Sequence, residues 1–110
     1  MSGDRLHELA DARSLALHRA VAERLHEQPE LLDAARERVE SWRRDGTVAP
    51  YYVAAWTELL AGARDEVVAA IVAPGERATA LRHVTPFAGV VDPRTRWRIW
   101  RQERAAFAGR

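Results

Sequence analysis

The chain has 110 residues, of which 47% are hydrophobic and 30% are charged, and its formal net charge at pH 7 is +1. That length supports one modest hydrophobic core, and the composition is typical of a globular domain. The absence of cysteine excludes disulfides, thiolate metal sites and a cysteine nucleophile, and without an apolar run of about 18 residues we expect no membrane-spanning helix.

The first two predicted helices are separated by a proline. Apolar residues at three- and four-residue spacings predict a helix over about residues 4–28, with Ser2 or Asp4 as its N-terminal cap. Pro29 ends this helix, because proline disfavours helical geometry in the residue before it. The same proline can open a second helix at about residues 30–45, since the first helical position needs no N–H.

Glycines and prolines also divide the middle of the chain. Gly46 is expected to stop the second helix, and Pro50 to begin a third that Gly62 closes. The next segment, RDEVVAAIVAPG, contains a short apolar run that could form a strand or a helix. We predict a helix, because its first turn is acidic, its alanines are weak strand formers and no second strand is available to pair with it.

A fifth, short helix is predicted over about residues 76–83, followed by an ordered loop with the sequence TPFAGVV. The apolar side chains of this loop, Phe87 among them, favour burial. Asp92 and Pro93 then form a cap and a first-turn proline, so a final helix should run to about Ala108. The pattern as a whole predicts an all-α fold, a compact bundle of five to six helices without a sheet.

Charge is distributed unevenly along this single predicted domain. Residues 1–76 carry nine arginines and fourteen carboxylates, a net charge of −5, whereas residues 77–110 carry eight arginines and two carboxylates, a net charge of +6. An asymmetry of this kind usually concerns a binding partner rather than the fold. We therefore distinguish an acidic helical body, residues 1–74, from a basic, aromatic C-terminal segment, residues 75–110.

No catalytic, metal-binding or cofactor-binding motif is recognisable. The histidines lack the spacing of metal ligands, and no glycine-rich phosphate loop is present. Ser14 and Ser41 lie in predicted helices, and Thr85 precedes a proline, so none of them resembles an activated nucleophile. We predict a protein that is not an enzyme and uses no cofactor or metal, with His18 and His26 as half-exposed residues on the flank of the first helix.

The final helix combines arginine with aromatic residues. Arg94, Arg98 and Arg101 recur at i, i+4 and i+7 and therefore line one side. The aromatic residues on the neighbouring side are Trp97, Trp100 and Phe107. Arginine forks bind carboxylates, and tryptophan and arginine dominate the energetics of protein interfaces. Two interpretations stay open: the helix binds a partner, or its aromatic residues dock on the acidic body while the arginines neutralise acids there.

The segment RHVTPFAGVVDPRTRWRIW, residues 82–100, resembles the ending of a group of small bacterial proteins. Their pattern is Leu-Arg, two variable residues, Ser/Thr-Pro-Phe-x-Gly and then a Pro-x-x-Arg-Trp helix. Upstream, PELLDAARERVESW and the proline-led helix after it are similar to the body of the same group, so the resemblance covers about residues 15–105. Several such proteins look like antitoxins of bacterial toxin–antitoxin pairs, some with a helix-turn-helix domain before this region, which this sequence lacks.

The resemblance implies that a toxin would be contacted through the loop and the final helix. The residues assigned to that contact by analogy are Pro86, Phe87, Arg94, Trp97, Arg98 and Arg101, and Trp100 is added from the aromatic pattern. The expected function is a non-catalytic, cytoplasmic protein-binding module that neutralises a cognate partner protein. The alternative is a nucleic-acid-binding transcriptional regulator whose final-helix arginines contact phosphate. Homodimerisation is compatible with both.

Overall fold

The computed structural model describes residues 2–109, and the side chains of residues 5–109. This part of the chain forms six α-helices and no strand, which confirms the predicted all-α fold. The helices are α1 (Ser2–Glu27), α2 (Leu31–Asp45), α3 (Pro50–Leu60), α4 (Arg64–Ile71), α5 (Glu76–His83) and α6 (Pro93–Ala108). The cap proposed at Ser2 or Asp4 involves side chains outside the described set. No described helix is long and apolar enough to cross a bilayer.

Proline and glycine separate the helices close to the predicted positions. Pro29 lies in the turn between α1 and α2, and its carbonyl accepts from the N–H of Leu32 at 3.1 Å. Gly46 ends α2 at a φ of 68°, and its N–H donates to the carbonyl of Trp42 at 2.9 Å. Only glycine adopts that left-handed geometry without strain. The segment that fitted either a strand or a helix forms α4, and the Glu66 carboxylate caps its first turn.

Trp56 of α3 and Phe87 of the loop between α5 and α6 lie at the centre of the hydrophobic core. Neither side chain has exposed surface, and their rings meet edge to face with centroids 5.9 Å apart. The Trp56 Nε1–H donates to the carbonyl of Val84 at 2.6 Å, so the polar edge of the indole is satisfied. Apolar residues from five helices complete the core, among them Leu25, Val39, Leu60, Ile71 and Leu81.

The last helix packs mainly on α1. The Arg5 guanidinium donates to the carbonyl of Phe107 at 2.8 Å, while Arg13 lies over the ring of Trp100. These two contacts show that α1 and α6 run antiparallel. Within the basic segment, Leu81, Phe87 and Val91 belong to the hydrophobic core, whereas the described residues of α6 lie outside that cluster and pack on α1.

Candidate functional site: the exposed face of α6

The start of α6 is fixed by its own sequence. The Asp92 carboxylate accepts from the Thr95 N–H at 2.9 Å and from the Thr95 hydroxyl at 2.8 Å, and Pro93 occupies the first turn. These hydrogen bonds lower the pKa of Asp92, so it remains an anion at the positive end of the helix dipole. The guanidinium of Arg96 also donates to the carbonyl of Ala88. The orientation of α6 about its axis is thus set from its first turn.

That orientation leaves one long side of α6 facing outward. Phe107 is buried, and Ile99 and Glu103 are half-buried on the side towards the bundle. Five of the seven residues predicted to contact a partner are exposed on the remaining surface of α6, and we call them the α6 face. They are Arg94, Trp97, Arg98, Trp100 and Arg101. Trp97 exposes 61% of its surface and Trp100 exposes 45%.

The arginines of the α6 face have no ion-pair or hydrogen-bond partner among the described residues. The ion pairs among the described residues all join side chains of the first five helices. Examples are Arg43 with Glu40 and His83 with Asp11. Of the two interpretations left open by the sequence, docking on the body holds for Phe107. It does not hold for Trp97 or for the arginines, which the acids of the body leave unneutralised.

Trp100 is held by a residue that the sequence analysis did not single out. The guanidinium carbon of Arg13, on α1, lies 3.6 Å from the centroid of the Trp100 ring, a close cation–π contact. Burial, and secondarily the nearby charge of Arg104, lowers the pKa of Arg13. Arg13 has no signal in the sequence as a site residue, because only the antiparallel packing of α1 on α6 brings it to the indole.

The assignment of Pro86 and Phe87 to partner contact is wrong for the folded protein. Both are buried, and Phe87 has no exposed surface. Its ring stands between Trp56 and His18, meeting both edge to face. A side chain enclosed in this way cannot touch another molecule unless the core opens. The Thr-Pro-Phe motif is thus a structural element that fixes the loop leading into α6.

His18 of α1 contacts this loop and helps to hold it. The sequence predicted a half-exposed histidine, but His18 is fully buried. Its ring nitrogens lie 2.7 Å from the carbonyl oxygen of Ser14 and 2.9 Å from the hydroxyl oxygen of Thr85. The Thr85 hydroxyl also accepts from the N–H of Phe87 at 3.0 Å. Because a carbonyl can only accept, Nδ1–H donates to Ser14, and the neutral Nε2 accepts from Thr85.

This neutral histidine should make stability depend on pH. Burial is the main cause that lowers the pKa of His18, and the positive charges of Arg82 and His83 lower it further against the opposing Ser14 carbonyl. In the unfolded chain a histidine takes up a proton near its ordinary pKa of about 6.5. Below that pH the unfolded state binds more protons than the native state, so the free energy of unfolding should fall from pH 7 to pH 5.

Urea denaturation of the wild type and of His18→Gln at pH 5, 6 and 7 measures this dependence. We expect the decrease in stability towards pH 5 to be smaller in the variant, because its residue 18 does not titrate. All other residues are the same in both proteins, so the difference between the two pH dependences reports on residue 18. Equal pH dependence of the two proteins would contradict a neutral, buried His18.

Arg82 shows that not every charge of the basic segment is available at the surface. Its side chain is 5% exposed, and its guanidinium donates to the carbonyls of Ile71 and Ala73 and to the hydroxyl of Thr79. The first of these carbonyls belongs to the last residue of α4, where the helix dipole favours a cation. Arg82 therefore stabilises the junction of α4 and α5, and the charge of +6 overstates what a partner would meet.

The surface depressions along α6 are bounded by side chains of α6 alone, so the α6 face is an open surface rather than a cleft. Among the described residues no group of three or more histidines and carboxylates converges as a metal site would require. Comparisons with protein-family models, curated proteins and solved structures gave no match. The resemblance to antitoxins consequently rests on the sequence patterns within about residues 15–105 alone.

Proposed function

We propose that this protein is a non-catalytic, cytoplasmic binding module that neutralises a cognate partner protein in the manner of an antitoxin, with the α6 face as its interface. The observation that carries the proposal is the exposure of Trp97, whose indole is open over 61% of its surface and is surrounded by arginines that have no partner among the described residues. Burying a large aromatic side chain is a principal source of interface affinity, and arginine is the charged residue most enriched beside it.

In this mechanism the protein acts by stoichiometric contact. The partner would cover Trp97 and the exposed part of Trp100, while the guanidinium groups of Arg94, Arg98 and Arg101 fork onto its carboxylates. Removal of the indole surfaces from water would provide affinity. The charges of the arginines would orient the partner and raise the rate of association. Since α6 packs mainly on α1, its outer side can be covered without disturbing the core.

The proposal is tested with the product of the reading frame adjacent to this one, since antitoxins and their toxins are encoded together. Isothermal titration of the two purified proteins should give a one-to-one complex, and Trp97→Ala should weaken it by about 30-fold, the loss of roughly 2 kcal/mol that defines an interface hot spot. Tyr51→Ala is the matched control, because Tyr51 is an aromatic residue of equal exposure, 62%, on α3.

Two results would count against the proposal. The first is that the product of the adjacent reading frame does not bind the wild type. The second is that Trp97→Ala and Tyr51→Ala bind that product equally well. Circular dichroism of both variants establishes that the helical content is unchanged before binding is compared.

A nucleic-acid-binding regulator is the second candidate, and it is favoured by the unpaired row of Arg94, Arg98 and Arg101. Phosphate contacts release counterions, so binding to a DNA duplex should weaken steeply between 50 and 200 mM salt, with a log–log slope that grows by about one for each phosphate neutralised. Absence of a gel shift at the lower salt concentration would dismiss this candidate. Residues 1–76, with their net charge of −5, oppose the approach of phosphate, and a nucleic-acid partner is therefore the weaker of the two candidates.

A further inference from the structure

Beside the α6 face, α1 presents an arginine, Arg13, that has no hydrogen-bond acceptor among the described residues. Arg13 is half-buried, its guanidinium lies over the ring of Trp100, and its Nε is enclosed without a partner in the described chain. A guanidinium normally donates five N–H groups to acceptors or water. Stacking on the indole fixes the plane of the guanidinium. Its two terminal NH2 groups have no acceptor among the described residues either, and these groups, rather than the enclosed Nε, form the fork that suits a carboxylate.

A second cation stands beside this fork. Arg104 follows Trp100 by one helical turn on α6, and its charge is close enough to Arg13 to disfavour the protonated guanidinium there. Neither arginine has an ion pair within the described residues, and Glu103, the carboxylate of α6, pairs with neither. The fold therefore brings two cations from different helices to the same part of the surface, and neither is neutralised by an ion pair among the residues that the structure describes. Such an arrangement is unfavourable in the free protein, and an added negative charge would relieve it.

We propose that Arg13, Trp100 and Arg104 form a receptor for a carboxylate carried by an acidic segment of the partner protein. The inference rests on the proposed function and extends it by naming the partner's chemistry: a glutamate or aspartate that the two guanidinium groups hold, next to an apolar side chain that covers the exposed part of Trp100. The partner is accordingly acidic where it meets the seam between α1 and α6.

The surroundings favour a protein carboxylate over the two other candidates. A second copy of this chain, related by two-fold symmetry through the α6 face, would place arginine rows against each other, and like charges across an interface cost several kcal/mol. A nucleic acid would bring many phosphates close to an acidic body. In addition, Trp97 and Leu6 of α1 expose apolar surface, and Leu6 is 67% exposed. An apolar side chain of a protein partner could bury this surface, whereas a phosphate backbone could not.

The probe for this receptor is a fluorescein-labelled synthetic helical peptide with glutamates along one side and leucines along the next. A peptide in which every glutamate is glutamine serves as its uncharged control. Fluorescence anisotropy at 150 mM salt should show that the acidic peptide binds at least ten times more tightly than the control. Arg13→Gln and Arg104→Gln should each weaken the acidic peptide by roughly tenfold and leave the control peptide unaffected, because each removes one charged donor to a carboxylate.

Arg77→Gln on α5 is the matched variant and should change binding less than twofold. Arg77 is exposed, lies away from the seam and has no partner within residues 5–109. If Arg13→Gln and Arg104→Gln resemble Arg77→Gln, the receptor is overturned. The proposed function would survive that result, provided that Trp97→Ala still weakens the complex with the adjacent gene product. Failure of the wild type to prefer the acidic peptide would also overturn the receptor.

A single-stranded oligonucleotide of the same charge completes the experiment. Tighter binding of the oligonucleotide than of the acidic peptide, lost in Arg13→Gln, would mean that the seam recognises phosphate, and the carboxylate receptor would be overturned. Weaker binding of the oligonucleotide supports it. Circular dichroism of Arg13→Gln distinguishes a lost donor from a lost α1–α6 contact.

Discussion

Phe87→Ala is expected to lower the free energy of unfolding by about 3–5 kcal/mol, the cost of replacing a buried phenylalanine by alanine in a packed core. Phe87 has no exposed surface, and its ring fills the space between Trp56 and His18. Removing it would forfeit two edge-to-face ring contacts and leave a cavity beside the His18–Thr85 hydrogen bond. Stability of this size is a large fraction of what a domain of this length possesses, so partial unfolding at 37 °C should be visible.

Urea denaturation followed by circular dichroism measures the change, and Trp97→Ala is its control. Trp97 exposes most of its surface and touches no ring, so its replacement should alter the free energy of unfolding by about 0.5 kcal/mol or less. The two aromatic residues of one sequence motif should thus differ in their effects. Replacement of Phe87 lowers the stability of the fold, whereas replacement of Trp97 weakens binding. Similar losses of stability in both variants would contradict the placement of Trp97 outside the core.

The sequence led to two conflicting predictions for Phe87. One came from the physical chemistry of the loop and the other from the family resemblance. Apolar content next to Pro86 and Gly89 predicted a buried, ordered loop, whereas family resemblance assigned the same residue to partner contact. The structure agrees with the first. Burial of the Phe87 ring fixes the loop that leads into α6, which is a structural reason for this sequence pattern.

Helix positions were predictable because local chemistry determines them. Gly46 requires a left-handed φ, Asp92 accepts from the first turn of α6, and Pro29 interrupts the longest amphipathic stretch. These effects act within a few residues, so one sequence is enough to recognise them.

Contacts between distant parts of the chain could not be predicted in this way. His18 was expected at a half-exposed flank, because its acceptor and donor, Ser14 and Thr85, are not recognisable as partners until α1 meets the loop. The stacking of Arg13 on Trp100 likewise depends on the antiparallel register of α1 against α6. Periodicity identified the outward arginines of α6. The structural role of Arg13, in contrast, follows from tertiary packing.

Arg98→Glu is expected to abolish most binding to the cognate partner while leaving the protein as stable as the wild type or slightly more so. Arg98 has arginines one turn away on either side, Arg94 and Arg101, and none of the three is paired within the described chain. A glutamate there would form favourable i,i+4 and i,i+3 pairs with them, worth a few tenths of a kcal/mol each. Facing a partner carboxylate, the same glutamate replaces attraction by repulsion, for which we expect about 3 kcal/mol, or roughly 100-fold in Kd.

The opposite signs of these two effects make the result decisive, since lost binding could not be attributed to an unfolded α6. Calorimetric titration gives the affinity and urea denaturation the stability, with Arg77→Glu on α5 as the charge-matched control that should bind normally. A partner variant carrying arginine in place of one acidic residue should restore binding to Arg98→Glu and not to Trp97→Ala, because only the first defect is one of charge. If Arg98→Glu binds as well as Arg77→Glu does, the α6 face is not the interface.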